Sequence, residues 1–549
     1  MYTLGIDFGT LSGRAVLVDT RNGREVATAV YDYPHAVMDE RLPSGKRLAP
    51  EWALQHPQDY LNVFFNTIPA VLRESGISPQ EVVGIGVDFT ASSPMPTTAD
   101  GTPLCFLPDY QDEPHAYVKL WKHHAAQPQA DHINAVARQR GEAWLNRYGG
   151  KYSSEWFFSK LLQILVEAPA VYDAIGTFIE SADWVIWQLT GELTRNTCTA
   201  GYKMLVQDGA YPSEDYFAAL HPDFRNVIAH KVAGDFAPLG GRAGSLTPAM
   251  AERLGLPAGI AVAVANVDAH VTAPAVKATE AGVMVMIMGT STCHIMSGES
   301  LQEVDGMCGV VNGGIIDGLY GYEAGQSGVG DIFAWFVDNA VPPEYHAAAR
   351  SDGLNLHEYL EREAAKQRVG EHGLIALDWW NGNRSTLVDT ELSGLLIGAT
   401  LATRAPDIYR ALIEATAYGT REIIEAFEAR GVTVKTLVAA GGLPDKNALL
   451  RQIYADVTGR SLKLAGSSQA PALGSAMHAA VAAGVYPNIN AAAQQMGKLK
   501  DEVVNPIPEN QAVYDELYAE YKALYHYFGR GANDVMKRLK KIRNRALGG

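Results

Sequence analysis

Residues 4–19 read LGIDFGTLSGRAVLVD, and residues 283–296 read VMVMIMGTSTCHIM. Each is an apolar run, a turn built on Gly-Thr, and a second apolar run. In the first copy Asp7 stands where the first run ends, beside small residues whose backbone N–H groups lie open. A strand–turn–strand opening in each half predicts two α/β units of similar plan.

The flanking sequence supports that plan. Residues 2–6, 14–18 and 24–31 predict strands, with DTRNG at 19–23 as a hairpin turn. A helix is predicted over 57–74, and VVGIGVDFT at 82–90 predicts a buried strand ending in a polar loop. Residues 91–150 predict irregular chain with a helix near 116–138, and 155–167 and 170–190 predict helices. A glycine-rich connector leads to AVAVANV, 261–267, a predicted strand, and the pattern then restarts at 283. Farther on come a long helix at 407–430, a strand at 434–439, the loop AAGGLPDKN at 439–447, and a helix to Val457 with Asp445 as its N-cap. A strand at 461–464 and an Ala-rich helix at 472–484 complete the unit. A chain of 549 residues exceeds one core, so the expected domains are 1–275 and 276–549, facing each other across a central cleft.

Composition narrows the function. With a formal net charge of −16, the chain is a poor match for nucleic acid or an anionic membrane. Its most apolar runs, 257–275 and 281–296, are broken by Asp268, His270 and glycines, and the N-terminus lacks the basic and apolar regions of a signal peptide. Four cysteines without a CxxC pair predict neither a zinc site nor a disulfide framework, which fits a cytoplasmic protein. The basic stretch KRLKKIRNR, 537–545, reads as the solvated end of a C-terminal helix.

The turns have a chemical use. A phosphate needs converging N–H donors, and glycine lets the backbone come close. Residues 9–13 supply such donors with the hydroxyls of Thr10 and Ser12, and Arg14 adds charge. Asp7 is placed to hold a magnesium ion directly or through water. Gly289 and Thr290 form the matching turn, and Gly441 and Gly442 a third glycine loop at a strand-to-helix junction. A lone Asp-x-Gly-Thr turn is an ordinary hairpin, whereas three such loops together point to a nucleotide. No P-loop, GxGxxG or protein-kinase motif set is present.

Phosphoryl transfer to an alcohol needs a base near the acceptor hydroxyl. Asp268, at the end of AVAVANV, is the candidate, with a helix N-cap as its alternative role. Glu323 and Lys203 read as polar loop residues able to bind a polyol, though each alone reads as a surface side chain. WKHHAAQ, 121–127, reads as a solvated or pocket-lining helix, EWFF (155–158) and WW (379–380) as core, and NGNRS (381–385) as a plain or cleft-lining loop.

Taken in order, GIDFGTLSGRA, KLLQILVEAP, DWVIWQLTG, MGTST, AAGGLPDKNALLRQIYADVTG and APALGSAMHAA resemble the FGGY carbohydrate kinases over most of the chain. The resemblance implies an α/β fold of two duplicated ribonuclease-H-like domains of the actin type. It implies ATP-dependent phosphorylation of a sugar hydroxyl with Mg2+, and a homodimer. GVDFTASS, PHAYVKLWKHHAAQ, TAGYKM, NVDAHVTAPAVKA, GYEAGQSGVGDIFAWF and WWNGNRS narrow it to the branch that phosphorylates L-ribulose in L-arabinose breakdown. By that resemblance Asp268 is the catalytic base, and Ala91, Lys203, Asp268 and Glu323 contact the ketopentose. Asp7, Thr10, Ser12 and Arg14 serve the magnesium–phosphate end, and Gly289, Thr290, Gly441, Gly442 and Asn447 hold the nucleotide. Trp121 is followed by Lys-His-His, not the Trp-x-Asp-x-Arg of many xylulose-acting members, and Asp268 by Ala269 where many members carry Gln or Asn. Leu11 replaces a hydroxyl residue of some members. The alternatives are a kinase for D-ribulose, ribitol or xylulose, and an actin-like ATPase without a sugar substrate.

Overall fold

The computed structural model of the chain describes residues 1–546. Its first half is built on strands β1 (Tyr2–Phe8), β2 (Ser12–Asp19) and β3 (Arg24–Asp32), followed by helix α1 (Pro57–Ser75) and strand β4 (Val82–Phe89). Helices α2 (Phe157–Glu167) and α3 (Thr197–Lys203) come next, then β5 (Arg242–Ser245), β6 (Ala261–Ala263), β7 (Asn266–Val267) and helix α4 (Asp268–Ala275). The second half holds β8 (Val283–Met288), β9 (Thr292–Gly298), β10 (Gly309–Asn312) and β11 (Tyr320–Gln326). Helix α5 (Ala405–Ala429), β12 (Thr436–Ala440), α6 (Ala448–Thr458), β13 (Leu462–Ala465), α7 (Ala470–Ala482), β14 (Leu499–Val504) and the terminal helix α8 (Val535–Ala546) complete it.

The two sheets have the same plan. The first runs β5-β6-β4-β1-β2-β3, with β7 also on β4, and the second runs β10-β11-β9-β8-β12-β13-β14. From β3 inward the pairings are antiparallel, antiparallel, parallel, parallel, antiparallel. From β11 inward the same five pairings recur. β1 therefore corresponds to β8, β2 to β9 and β4 to β12, and the turns GTLS and GTST occupy equivalent places.

Each sheet has its own apolar core. Leu4, Ile6 and Phe8 pack with Phe64 and Trp184 in the first, and Met284, Met286 and Met288 with Leu412 and Ile423 in the second. Helix α7 joins them: it follows the last parallel strand of the second sheet, yet it lies directly on β1 and β4 of the first. Glycines make that approach possible, because a Cβ on Gly5 would collide with Ala472 O and one on Gly86 with Ser475 O. Thr3 Oγ1 adds a hydrogen bond to Ala476 O at 2.9 Å.

Several local expectations are corrected. Residues 170–190 are not one helix, since Thr177–Glu180 is a strand paired with Pro94–Thr97, followed by a helix from Ser181. Residues 116–126 are not helical: Val118–Lys119 pairs with Leu54–Gln55, and the helix starts at Gln127 with a proline in its first turn. AVAVANV is interrupted into β6 and β7. The cap of α6 is Asn447, whose Oδ1 accepts from Leu450 N at 2.7 Å, and Asp445 lies in the separate short helix Gly442–Lys446. The basic stretch is helical as expected, and Lys537 and Lys540 pair with Asp389 and Glu391 at 2.6 and 2.9 Å.

Candidate active site

Strand ends aim the acidic residues. β1, β4 and β7 run parallel in one sheet, so Asp7 and Asp88 are register partners and Asn266 pairs with Asp88. Chain leaving β7 enters α4 at Asp268, whose Oδ1 accepts from Ala269 N at 2.7 Å. Asp268 is thus both a strand-end residue and the opening residue of a helix, where the N-terminal dipole favours negative charge.

Three aspartates act on one another. Burial, then the Asp7 charge, push the Asp268 carboxyl up to about 7. Burial and Asp7 also raise Asp88 well above the carboxylate range, against a 2.6 Å hydrogen bond from Ser475 Oγ of α7. Burial raises Asp7 as well, opposed by Arg14, whose Nε lies 3.2 Å from Asp7 Oδ2 across β1–β2. Asp88 Oδ1 is buried with no hydrogen-bond partner. Crowded carboxylates with a spare buried oxygen are the donor chemistry a small divalent cation satisfies. Among the described residues no three His, Cys, Asp or Glu form a metal cage. Magnesium needs none, since it binds through one or two carboxylates with phosphates and waters. The residues present therefore fit Mg2+ at Asp7 and Asp88.

A second group lies beside the first. Lys203, in the last turn of α3, and Glu323, on β11, are buried at 5% and 8% exposure, contrary to the loop and surface reading. Lys203 Nζ lies 3.4 and 3.3 Å from the Glu323 carboxylate oxygens. His270 Nε2 is 3.2 Å from Glu323 Oε2, and its Nδ1 is 2.9 Å from Cys198 Sγ. Burial pushes the Glu323 carboxyl up, but Lys203, His270 and Arg384 outweigh it and hold the group well below the usual carboxylate range. His270 stands two residues after Asp268 on α4, so the helix that begins at Asp268 also carries a contact of Glu323, and the Asp268 carboxyl feels the charges of both Glu323 and Lys203.

Ala91 is a partly buried wall residue packed against the apolar cluster of Cys198, Tyr202, Leu239, Val267 and Val311. Its loop is fixed from behind: Glu180 accepts from Ser92 Oγ at 2.5 Å and Ser93 N at 2.8 Å, and Lys160 donates to Ser92 O at 2.8 Å and Leu120 O at 2.9 Å. Trp121 Nε1 donates to Thr10 Oγ1 at 3.1 Å, tying that wall to the first turn. Within the turn Gly9 N donates to Ser12 O at 3.0 Å, and Leu11 is 59% exposed at its tip.

The second turn meets the third glycine loop. Gly330 N and Val329 N donate to Gly289 O and Thr290 O at 3.1 and 2.8 Å. Gly441, at φ +99°, lies so close to Met288 that a Cβ there would collide with its carbonyl oxygen, and Gly442 opens the short helix after it. Asn447 is buried and committed to capping α6. The site residues inferred from sequence thus fall into three neighbourhoods: the aspartates with Thr10, Ser12 and Arg14; the Ala91–Lys203–Glu323 wall; and the Gly289–Gly441 loops. Asp88 and His270 are not among the residues inferred from sequence. For Asp88 the signal was available, since VDFT at the end of β4 repeats the IDFG pattern of β1.

Residues 2–274 match the N-terminal domain, and residues 284–483 the C-terminal domain, of the FGGY family of carbohydrate kinases. The ribulokinase of Halalkalibacterium halodurans is 56% identical, covering 99% of this chain and 98% of its own. That of Geobacillus thermodenitrificans is 57% identical, covering 98% and 96%. Among solved structures, xylulose kinase from Rhodospirillum rubrum superposes with a TM-score of 0.77 at 22% identity, covering 96% of this chain and 98% of that one. Plasmodium falciparum glycerol kinase with ADP gives 0.76 at 15%, covering 95% and 97%. The last two show the shared fold.

Proposed function

Because the chain belongs to the FGGY family of carbohydrate kinases, we propose that it moves the γ-phosphoryl group of ATP onto the terminal hydroxyl of L-ribulose, giving L-ribulose 5-phosphate and ADP. ATP-dependent phosphorylation of a sugar is its activity as a family member, and the full-length identity to ribulokinases makes ribulose the acceptor. The L configuration, the 5-hydroxyl, a place in L-arabinose breakdown in the cytoplasm, and a homodimer are the finer parts of the reading.

The mechanism rests on the placement of Asp268 at the β7–α4 junction, two residues before the His270 that meets Glu323 of the buried Lys203–Glu323 pair; burial and the Asp7 charge push its carboxyl up to about 7. A base poised near neutrality is matched to removing a hydroxyl proton. Asp268 accepts the proton as the oxygen attacks phosphorus. Lys203 and Glu323, already paired, offer the sugar an oriented donor and acceptor, and Ala91 leaves room for its carbon chain. The N–H groups around Thr10, Ser12, Gly289 and Thr290, with Arg14, Gly441 and Gly442, hold the nucleotide, and Asn447 fixes the start of α6 behind the Gly441–Gly442 loop. Asp7 and Asp88 would hold Mg2+, which when bound would supply charge neutralisation for the transferred group.

The test is coupled ADP release with MgATP against L-ribulose, D-ribulose, D-xylulose, ribitol and glycerol. Fast turnover with L-ribulose and none with glycerol is expected. Sugar-independent hydrolysis would leave an ATPase of the same fold.

A further inference from the structure

Arg384, in the loop NGNRS, acts on Glu323 but has no role in the mechanism above. The loop is held firmly: Gly325 N donates to Ser385 Oγ at 3.2 Å, Leu387 N to Asn383 Oδ1 at 2.9 Å, and Tyr525 OH shares a 3.0 Å hydrogen bond with Thr386 Oγ1. The arginine stem crosses β11 over Gly325, where a Cβ would stand 2.8 Å from Arg384 Cδ. Glycine two residues after Glu323 therefore opens the passage for this side chain. Its tip reaches the first half of the chain, where Nη2 lies 3.5 Å from Glu155 Oε2 just before α2. Glu155 in turn meets His124 Nε2 at 3.0 Å.

Arg384 is held in place but not used up. The guanidinium has five N–H donors in a rigid fork. Among the described residues they find an ion pair with Glu155 and no hydrogen-bond acceptor, and the side chain is 32% exposed. The surrounding charges select the ligand. Glu155 and Glu323 both act on Arg384, and Lys203 stands beyond Glu323. Two anions and two cations balance, so a phosphate brought to Arg384 would meet two carboxylates. A neutral polyhydroxy ligand carries no charge for them to repel and can donate its hydroxyls to them.

We propose that Arg384 is a sugar-binding residue supplied by the second half of the chain, donating its guanidinium hydrogen bonds to oxygens of the ketose held between Glu155 and Glu323. This rests on the sugar-kinase reading above. It makes sugar recognition a joint property of both halves: Ala91 and Lys203 on one side, Glu323 and Arg384 on the other.

The test is calorimetric titration of L-ribulose into the ATP-free protein, comparing wild type with Arg384→Met and Arg384→Lys, with KM for ATP and Tm measured alongside. The expected result is sugar affinity weaker by roughly tenfold or more in Arg384→Met, as for loss of charge-assisted hydrogen bonds. Arg384→Lys recovers it only in part, because an ammonium does not reproduce the fork. KM for ATP and Tm stay near wild type. Sugar affinity within twofold of wild type in a folded Arg384→Met overturns the proposal. So does a rise confined to KM for ATP, which would place Arg384 at the phosphoryl end. Should Arg384→Met not fold, Arg384→Lys is read alone, and unchanged sugar affinity there overturns it equally. Failure of the sugar-kinase reading looks different: wild type itself shows no sugar-dependent turnover.

Discussion

Lys203 Nζ lies 3.3 Å from Glu323 Oε2, although the two residues are 120 positions apart and belong to different halves of the fold. The pair is buried, so each member makes the other's charge tolerable.

Removing Lys203 takes away the largest compensation of the buried Glu323 charge and leaves only His270 and Arg384. Lys203→Met is expected to lower stability by about 3–5 kcal/mol and to abolish measurable sugar binding. Lys203→Met/Glu323→Leu should recover much of the stability and none of the sugar binding. Denaturant unfolding read beside sugar titration checks this. Recovery of both in the double variant would reduce the pair to a structural role.

Asp268 makes activity and stability depend on pH in opposite directions. The base must be ionised, so kcat/KM is expected to fall tenfold per pH unit below a midpoint well above the ordinary carboxylate range, set by burial and by Asp7. For stability the sign reverses. A carboxyl whose folded pKa is raised contributes stability below its unfolded pKa, and that contribution is lost as pH rises through about 7. Asp268→Asn should therefore raise Tm at pH 8 relative to wild type. A pH–rate profile flat down to pH 5, or a fall in Tm at pH 8, would contradict this.

Helix α7 lies on bare backbone at Gly5 and Gly86. Gly86→Ala forces its methyl against Ser475 O and is expected to cost about 1–3 kcal/mol by overpacking. Turnover should fall further than that loss of folded protein explains, because Ser475 also holds Asp88. Unfolding midpoints and kcat measured at a temperature where the variant is fully folded separate the two effects.

The two Gly-Thr turns could be read from the sequence because alternation and turn chemistry are local. For that reason β1, β2, β8 and β9 lie where their residues predicted them. The strand Thr177–Glu180 could not, because its only support is pairing with Pro94–Thr97, some eighty residues away. Lys203 and Glu323 read as surface residues for a similar reason: each is tolerable in the interior because of partners distant in sequence, and single-segment patterns do not show a distant partner. Asn447 and Asp445 are both fair caps by residue type, and tertiary packing of the short helix Gly442–Lys446 decided between them. Arg384 had no signal beyond a polar loop. Its meaning comes from Gly325 beneath it and Glu155 opposite.

The central claim is that Asp268 takes the proton of a sugar hydroxyl. It is tested most directly by Asp268→Asn, assayed for L-ribulose-dependent ADP release and for MgATP binding by calorimetry. The account predicts that turnover falls by roughly 10²–10⁴-fold or more while MgATP affinity stays close to wild type. Turnover near wild type in the folded variant would contradict it.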